Sequence, residues 1–139
     1  MNQKHKKLRA RKSLRTATLA VEMALCLPIL LMLLFGSYEL ARANMILHST
    51  ESAAYEGART GIIPGATQEK IRESIRVLLI AVGIKNFTVN IDPPVIDETT
   101  ENVSVTVLVP FRENMFVPAF FIKDPTFRGR CQLSREIAR

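Results

Sequence analysis

The stretch that most constrains this chain is ATLAVEMALCLPILLMLLFG, from Ala17 to Gly36. It holds a single charge, Glu22. At about 1.5 Å per residue a helix of this length spans ~30 Å, the thickness of a bilayer's hydrocarbon core. The alternative is a core helix buried on every side, which a chain of 139 residues rarely has the volume to enclose. The run therefore predicts a transmembrane helix over 18–36. Glu22 stands out within it. A carboxylate at membrane depth costs a few kcal/mol on insertion scales and marks a functional position by default. The alternative reading puts it close enough to the helix start to reach headgroups.

Charge orients the segment. Lys4, Lys6, Lys7, Arg9, Arg11, Lys12 and Arg15 precede it, with no acidic residue among 1–16. The positive-inside bias then keeps the N-terminus cytoplasmic and carries the C-terminal part out of the cytoplasm. The chain totals +6, so without these seven charges the remainder is close to neutral. The basic character belongs to the leader, residues 1–17. That leader has no aromatic residue to stack on bases, and topology accounts for its charge, so no nucleic-acid partner is expected. Ala41-Arg42-Ala43 has the A-x-A form of a signal cleavage site. The apolar run is nevertheless longer than an ordinary signal core, contains a glutamate and ends well before Ala41.

Beyond Gly36, no proline occurs until Pro64, and Ala, Leu, Met, Glu and Arg are frequent. These are good helix formers. Ala43, Leu47, Thr50, Ala54 and Ala58 recur three or four apart as a small-residue stripe. The membrane helix is expected to continue outward over 37–59, with Pro28 as a kink inside the membrane. Gly57, Gly61, Pro64 and Gly65 are expected to end it.

Residues 60–139 read as a small α+β domain. Thr67 is a plausible N-cap, Glu69 lies in the first turn, and Ile71, Ile75, Leu78, Leu79 and Val82 form an apolar face that Gly83 stops. Three alternating runs follow. Phe87, Val89 and Ile91 form the first, and Val103, Val105, Val107 and Val109 the second. Phe127, Cys131, Leu133 and Ile137 form the third. Period-two patterning with β-branched residues predicts three antiparallel strands with one face buried under the helices. Between Pro110 and Pro125, Phe111, Met115, Phe116, Val117, Phe120, Phe121 and Ile122 occur without clean periodicity. They read either as a loop folded over the sheet or as an exposed apolar surface for a partner or the bilayer.

Reactive chemistry is sparse. Cys26 lies in the apolar run and Cys131 in the outer domain, so the two are not expected to pair. His5 and His48 have no cysteine or second histidine at metal-ligand spacing. No phosphate loop or nucleophile elbow is present. The chain is expected to be no enzyme, and to use no cofactor and no metal.

A basic leader, a small-residue junction, a glutamate five residues beyond it and a long apolar helix together resemble a type IV prepilin, and the stretches VEMALCLPILLMLLFGSYELAR, ESAAYEGARTG, VTVLVPF and SREIAR narrow the resemblance. The closer resemblance is to the TadE-like minor pseudopilins of the tight-adherence (Tad/Flp) pilus system. That resemblance implies cleavage by a membrane-embedded prepilin peptidase between Ala17 and Thr18, with Glu22 as the fifth mature residue. Ala17 stands where the family usually has glycine, and Met23 where an aromatic often follows the glutamate. It also implies that Glu22 pairs with the freed Thr18 amine of a neighbouring subunit. Its implied partners are membrane lipid, other pilins or pseudopilins, the prepilin peptidase and the pilus assembly platform. The implied location is the cytoplasmic (inner) membrane, single-pass. A competing function is a membrane-anchored, extracytoplasmic binding module whose helix is a simple tether, for which Glu22 has no use.

Overall fold

The computed structural model describes residues 3–96 and 100–135, with side chains described from Arg15 onward. Helix α1 runs Gln3–Gly61 and helix α2 Gln68–Ala81. Strands β1 (Thr88–Asp92), β2 (Asn102–Pro110) and β3 (Thr126–Ser134) follow, with a 3-10 turn at Arg112–Asn114 after β2. The chain divides into two compact units, Met1–Tyr38 and Glu39–Arg139. The architecture is α+β: a long N-terminal apolar helix, one further helix and three antiparallel strands.

The first unit is helix α1 up to Tyr38. Its large apolar side chains from Leu19 to Leu34 are exposed, by 41% at Leu31 and 68% at Leu33. An α-helix satisfies its own backbone hydrogen bonds, so a segment apolar on all sides is stable where the surroundings are apolar too.

The second unit is built on a three-stranded sheet of order β1-β2-β3. Val103, Val105, Val107 and Val109 of the central strand are fully buried. On the same face, register places Val89 opposite Val107 and Ile91 opposite Val105 on one side. On the other side it places Leu133 opposite Val103, Cys131 opposite Val105 and Phe127 opposite Val109. Each fully buried valine contributes roughly 1.5–3 kcal/mol, so β2 anchors the core. The expected alternation of β3 holds as far as Ser134; Glu136 and Ile137 lie outside the described residues.

In α2 the Thr67 hydroxyl accepts the Lys70 amide at 3.4 Å and caps the N-terminus. Ile71, Ile75 and Leu79 are fully buried, with Leu78 and Val82 packed at the edge. Gly83, at φ 75°, ends the helix. The Ile84 amide reaches back to the Leu79 carbonyl at 2.9 Å, as in a Schellman closure.

The outer part of α1 presents Glu39, Arg42, Ile46, Thr50, Ala53, Gly57 and Gly61 as its buried face. The steps are three or four residues, so this is one helical stripe. Thr50, Ala54 and Ala58 are buried as expected, but Ile46 rather than Leu47 is the large core residue. Gly57 does not terminate the helix. It lies inside α1, and a β-carbon there would stand 2.6 Å from Ile75 Cδ1 and 3.2 Å from Val105 Cγ1. Gly61 is similarly placed against Val103 and Ile71. These glycines let α1 settle onto both α2 and the sheet. Pro64 and Gly65 lie in the turn beyond the helix end. There the Arg135 guanidinium donates to the carbonyls of Ile62 and Ile63, both at 2.9 Å, and of Gly61 at 3.4 Å. A cation at this end also suits the helix dipole.

Helix and sheet approach closely at Gly129, the one described position of the inward β3 row that carries no side chain. It pairs with Val107, and a β-carbon there would collide with the backbone carbonyl of Thr50. Backbone cannot move aside as a side chain can. Gly129→Ala is therefore expected to destabilise the outer unit by about 1–3 kcal/mol through overpacking. Hydrogen exchange of the β2–β3 amides in the full chain checks this: faster exchange is expected, and unchanged protection would contradict the packing.

Candidate functional site

The first turn of α1 within the outer unit carries a glutamate and an arginine one turn apart, Glu39 and Arg42. Both are buried, with only 2% and 6% exposed. A charged residue is rarely buried without partners. An i,i+3 pair on a helix would ordinarily face solvent and pair with itself. Here each side chain instead bonds the backbone of a different segment.

Glu39 takes the loop between β2 and β3. One carboxylate oxygen accepts the Phe120 amide, and the other accepts the amides of Phe121 and Ile122, each at 3.0 Å. Three successive N–H groups converging on one carboxylate form an anion-binding concavity. Burial by itself would raise the glutamate's pKa; the three amides favour the charged form and outweigh it, so the pKa is lowered.

Arg42 takes the other side. Its guanidinium donates to the carbonyls of Val82 at 3.0 Å, Gly83 at 3.1 Å and Asn114 at 3.0 Å. It lies 4.9 Å from the centre of the Phe116 ring, a cation–π contact. Asn114 extends the network. Its side-chain oxygen accepts the amides of Lys85 at 2.9 Å and Asn86 at 3.1 Å, and its side-chain nitrogen donates to the carbonyls of Asn86 and Pro110. One helix turn thus fastens the α2–β1 turn, the 3-10 turn and the aromatic loop. Phe111, fully buried, completes the attachment with an edge-on contact to Phe127 at 5.8 Å.

The 110–125 stretch is thus partly packed into the domain and partly exposed. Its ends and its backbone are tied down, and Phe111 is core. Phe116, Phe120 and Phe121 are exposed.

The residues singled out from sequence lie elsewhere. Ala17, Thr18, Glu22 and Pro28 all sit on α1 in the first unit, and all four are exposed. Thr18 and Glu22 are one turn apart on the same helix. Sequence reasoning missed Glu39, Arg42 and Asn114. The only local hint was a Glu and an Arg in helical spacing directly after an apolar run. Among the described residues no group of three or more His, Cys, Asp or Glu is placed to hold a metal, and Cys26 and Cys131 are both free. An open groove of about 450 Å³ lies along α2, lined by Glu56, Lys70, Glu73, Ser74, Val77 and Leu78.

An exposed apolar helix followed by a folded α+β unit suggests a single-pass membrane protein; α1 is long and apolar enough to cross a bilayer. Residues 18–59 match the family described as TadE-like protein, so this segment is TadE-like. The match starts at Thr18 and takes in Glu22, the apolar run and the turn bearing Glu39 and Arg42. Together the family and the helix suggest a membrane protein associated with the Tad pilus. No curated protein and no solved structure matches the chain.

Two outcomes are expected of this network. Asn114→Ala leaves four partly buried backbone groups without this partner and should destabilise the second unit by about 1–3 kcal/mol, measured by urea titration of the full chain in detergent. Glu39 supplies a pH dependence. Its folded-state pKa lies below the unfolded one, so its contribution is complete above the ordinary glutamate value of about 4.3 and is lost as pH falls through the folded value. Hydrogen exchange at the Phe120, Phe121 and Ile122 amides, corrected for its intrinsic pH dependence, should lose protection over that acid range in the wild type. In Glu39→Gln the pH dependence should vanish. Equal acid responses in the two proteins would contradict the assignment.

Proposed function

We propose that this chain is a pseudopilin-like, single-pass component in assembly of a tight-adherence (Flp) pilus or a related secretion machine. The observation that carries the reading is the TadE-like match over residues 18–59, a span whose first half is exposed apolar helix. The leader faces the cytoplasm and the α+β unit lies outside it, in the cytoplasmic (inner) membrane, as the seven leader charges favour. A prepilin peptidase cuts between Ala17 and Thr18. The helix then packs beside other pilins or pseudopilins at the assembly platform, where a neighbour can also accommodate a kink at Pro28. No catalytic step is assigned to the chain; the TadE-like family is not known as an enzyme family.

Within such an assembly Glu22 pairs with the Thr18 amine of an adjacent subunit. A buried charge pair is favourable only when both members are present, and removing one leaves the other stranded in low dielectric. Glu22→Ala is therefore expected to insert in the membrane at wild-type levels or slightly above, since the transfer cost falls by roughly 2–3 kcal/mol at most. Its recovery in complexes with pilin-like partners should drop. Co-purification at equal membrane levels checks this, and equal recovery would leave the helix a simple tether. N-terminal sequencing from cells with the peptidase should find Thr18 first; an intact Met1 throughout the membrane fraction would overturn the processing step.

A further inference from the structure

We infer that the loop carrying Phe116, Phe120 and Phe121 is a second membrane contact, seated in the interfacial layer of the bilayer that α1 crosses. The three rings are 71%, 66% and 52% exposed. Three large aromatic side chains in six residues of loop are more apolar surface than a folded domain usually leaves to water. The loop backbone is nonetheless not free to fold them inward. The amides of Phe120, Phe121 and Ile122 are held on Glu39, and the Phe116 ring lies over the Arg42 guanidinium.

Those two anchors fix where the rings can be. Glu39 is three residues beyond Gly36, the end of the apolar run. Three residues reach about 11 Å fully extended and about 4.5 Å as helix. The headgroup layer on each side of the hydrocarbon core is roughly 5–8 Å deep. A loop bonded to Glu39 is therefore confined by chain length to the depth of the headgroups or just above them. Aromatic rings favour that depth. Lipid is thus the occupant within reach of all three rings for as long as α1 spans the membrane.

Charge supports lipid apolar contact over an electrostatic one. Between Phe111 and Asp124 the loop carries Arg112 and Lys123 against Glu113 and Asp124, a balance of zero. Such a loop needs no anionic lipid, and its contact should survive high salt.

The inference rests on the membrane-spanning reading of α1, and the test separates the two. The chain contains no tryptophan, so a single introduced one reports its own surroundings. The full chain is reconstituted in phosphatidylcholine vesicles as Leu30→Trp, Phe121→Trp, Phe116→Trp and Ile63→Trp, with and without lipids brominated on the acyl chains. Leu30 lies in the apolar run. Ile63 is 55% exposed and lies past Gly61, about 33 Å of helical rise from Glu39. Quenching is expected at Leu30 by deep bromines and at Phe116 and Phe121 by shallow ones, unchanged at high salt, with none at Ile63. Quenching at Leu30 alone would overturn the loop contact and leave the span standing. Absence of quenching at Leu30 would overturn the span itself, and the loop contact with it. A blue shift at Phe121 without bromine quenching would mean that protein covers the rings, and would also overturn the lipid assignment.

Discussion

Everything in this molecule depends on one helix that is solvated in two ways. Up to Tyr38, α1 carries exposed leucines, methionines and isoleucines. From Glu39 to Gly61 the same helix supplies one wall of a packed domain. The sequence changes character accordingly. Large apolar residues on all sides give way to a narrow stripe in which glycine and alanine let the sheet and α2 approach, while the other faces turn polar. Neither part substitutes for the other. The first turns its large apolar side chains outward, and the second is too narrow a stripe to be stable without the sheet.

The changeover is made by Glu39 and Arg42. Two buried charges would ordinarily weigh against a fold. Each here meets the backbone of connecting segments: three loop amides for the carboxylate, three carbonyls for the guanidinium. The loop amides satisfy a carboxylate that is itself buried. The lowered pKa of Glu39 expresses that balance, with amide donation exceeding the penalty of burial. The consequence is positional. A long connection without regular structure is fixed to the first turn of the domain, and its aromatic rings are held outward.

Much of this was legible from local pattern. The apolar run, the capped α2 with its Ile71–Ile75–Leu79 face and the four alternating valines of β2 are signals of period and composition, and all appear as read. What local pattern did not reveal shares one cause. Gly57 looks like a helix breaker in sequence, and its use as a point of close packing depends on Ile75 and Val105, which are far away in the chain. Gly129 carries no signal in the strand pattern, and its role depends on Thr50. Glu39 and Arg42 carry no sign of burial in local pattern, because it depends on segments 40 to 83 positions further on. The positions suggested by the pilin resemblance, Ala17, Thr18 and Glu22, concern contacts with other molecules, which the chain's own fold does not supply.

The central claim is that the exposed apolar half of α1 serves as a packing surface for other membrane helices. A photo-reactive side chain placed in turn at Met23, Leu25, Leu31 and Leu33, which lie around the helix, in cells that build the pilus machinery, tests it directly. The account predicts protein adducts with pilin-like partners, strongest along one stripe of the helix and lost in cells lacking those partners. Adducts with lipid alone at all four positions, while the machinery still assembles, would contradict it.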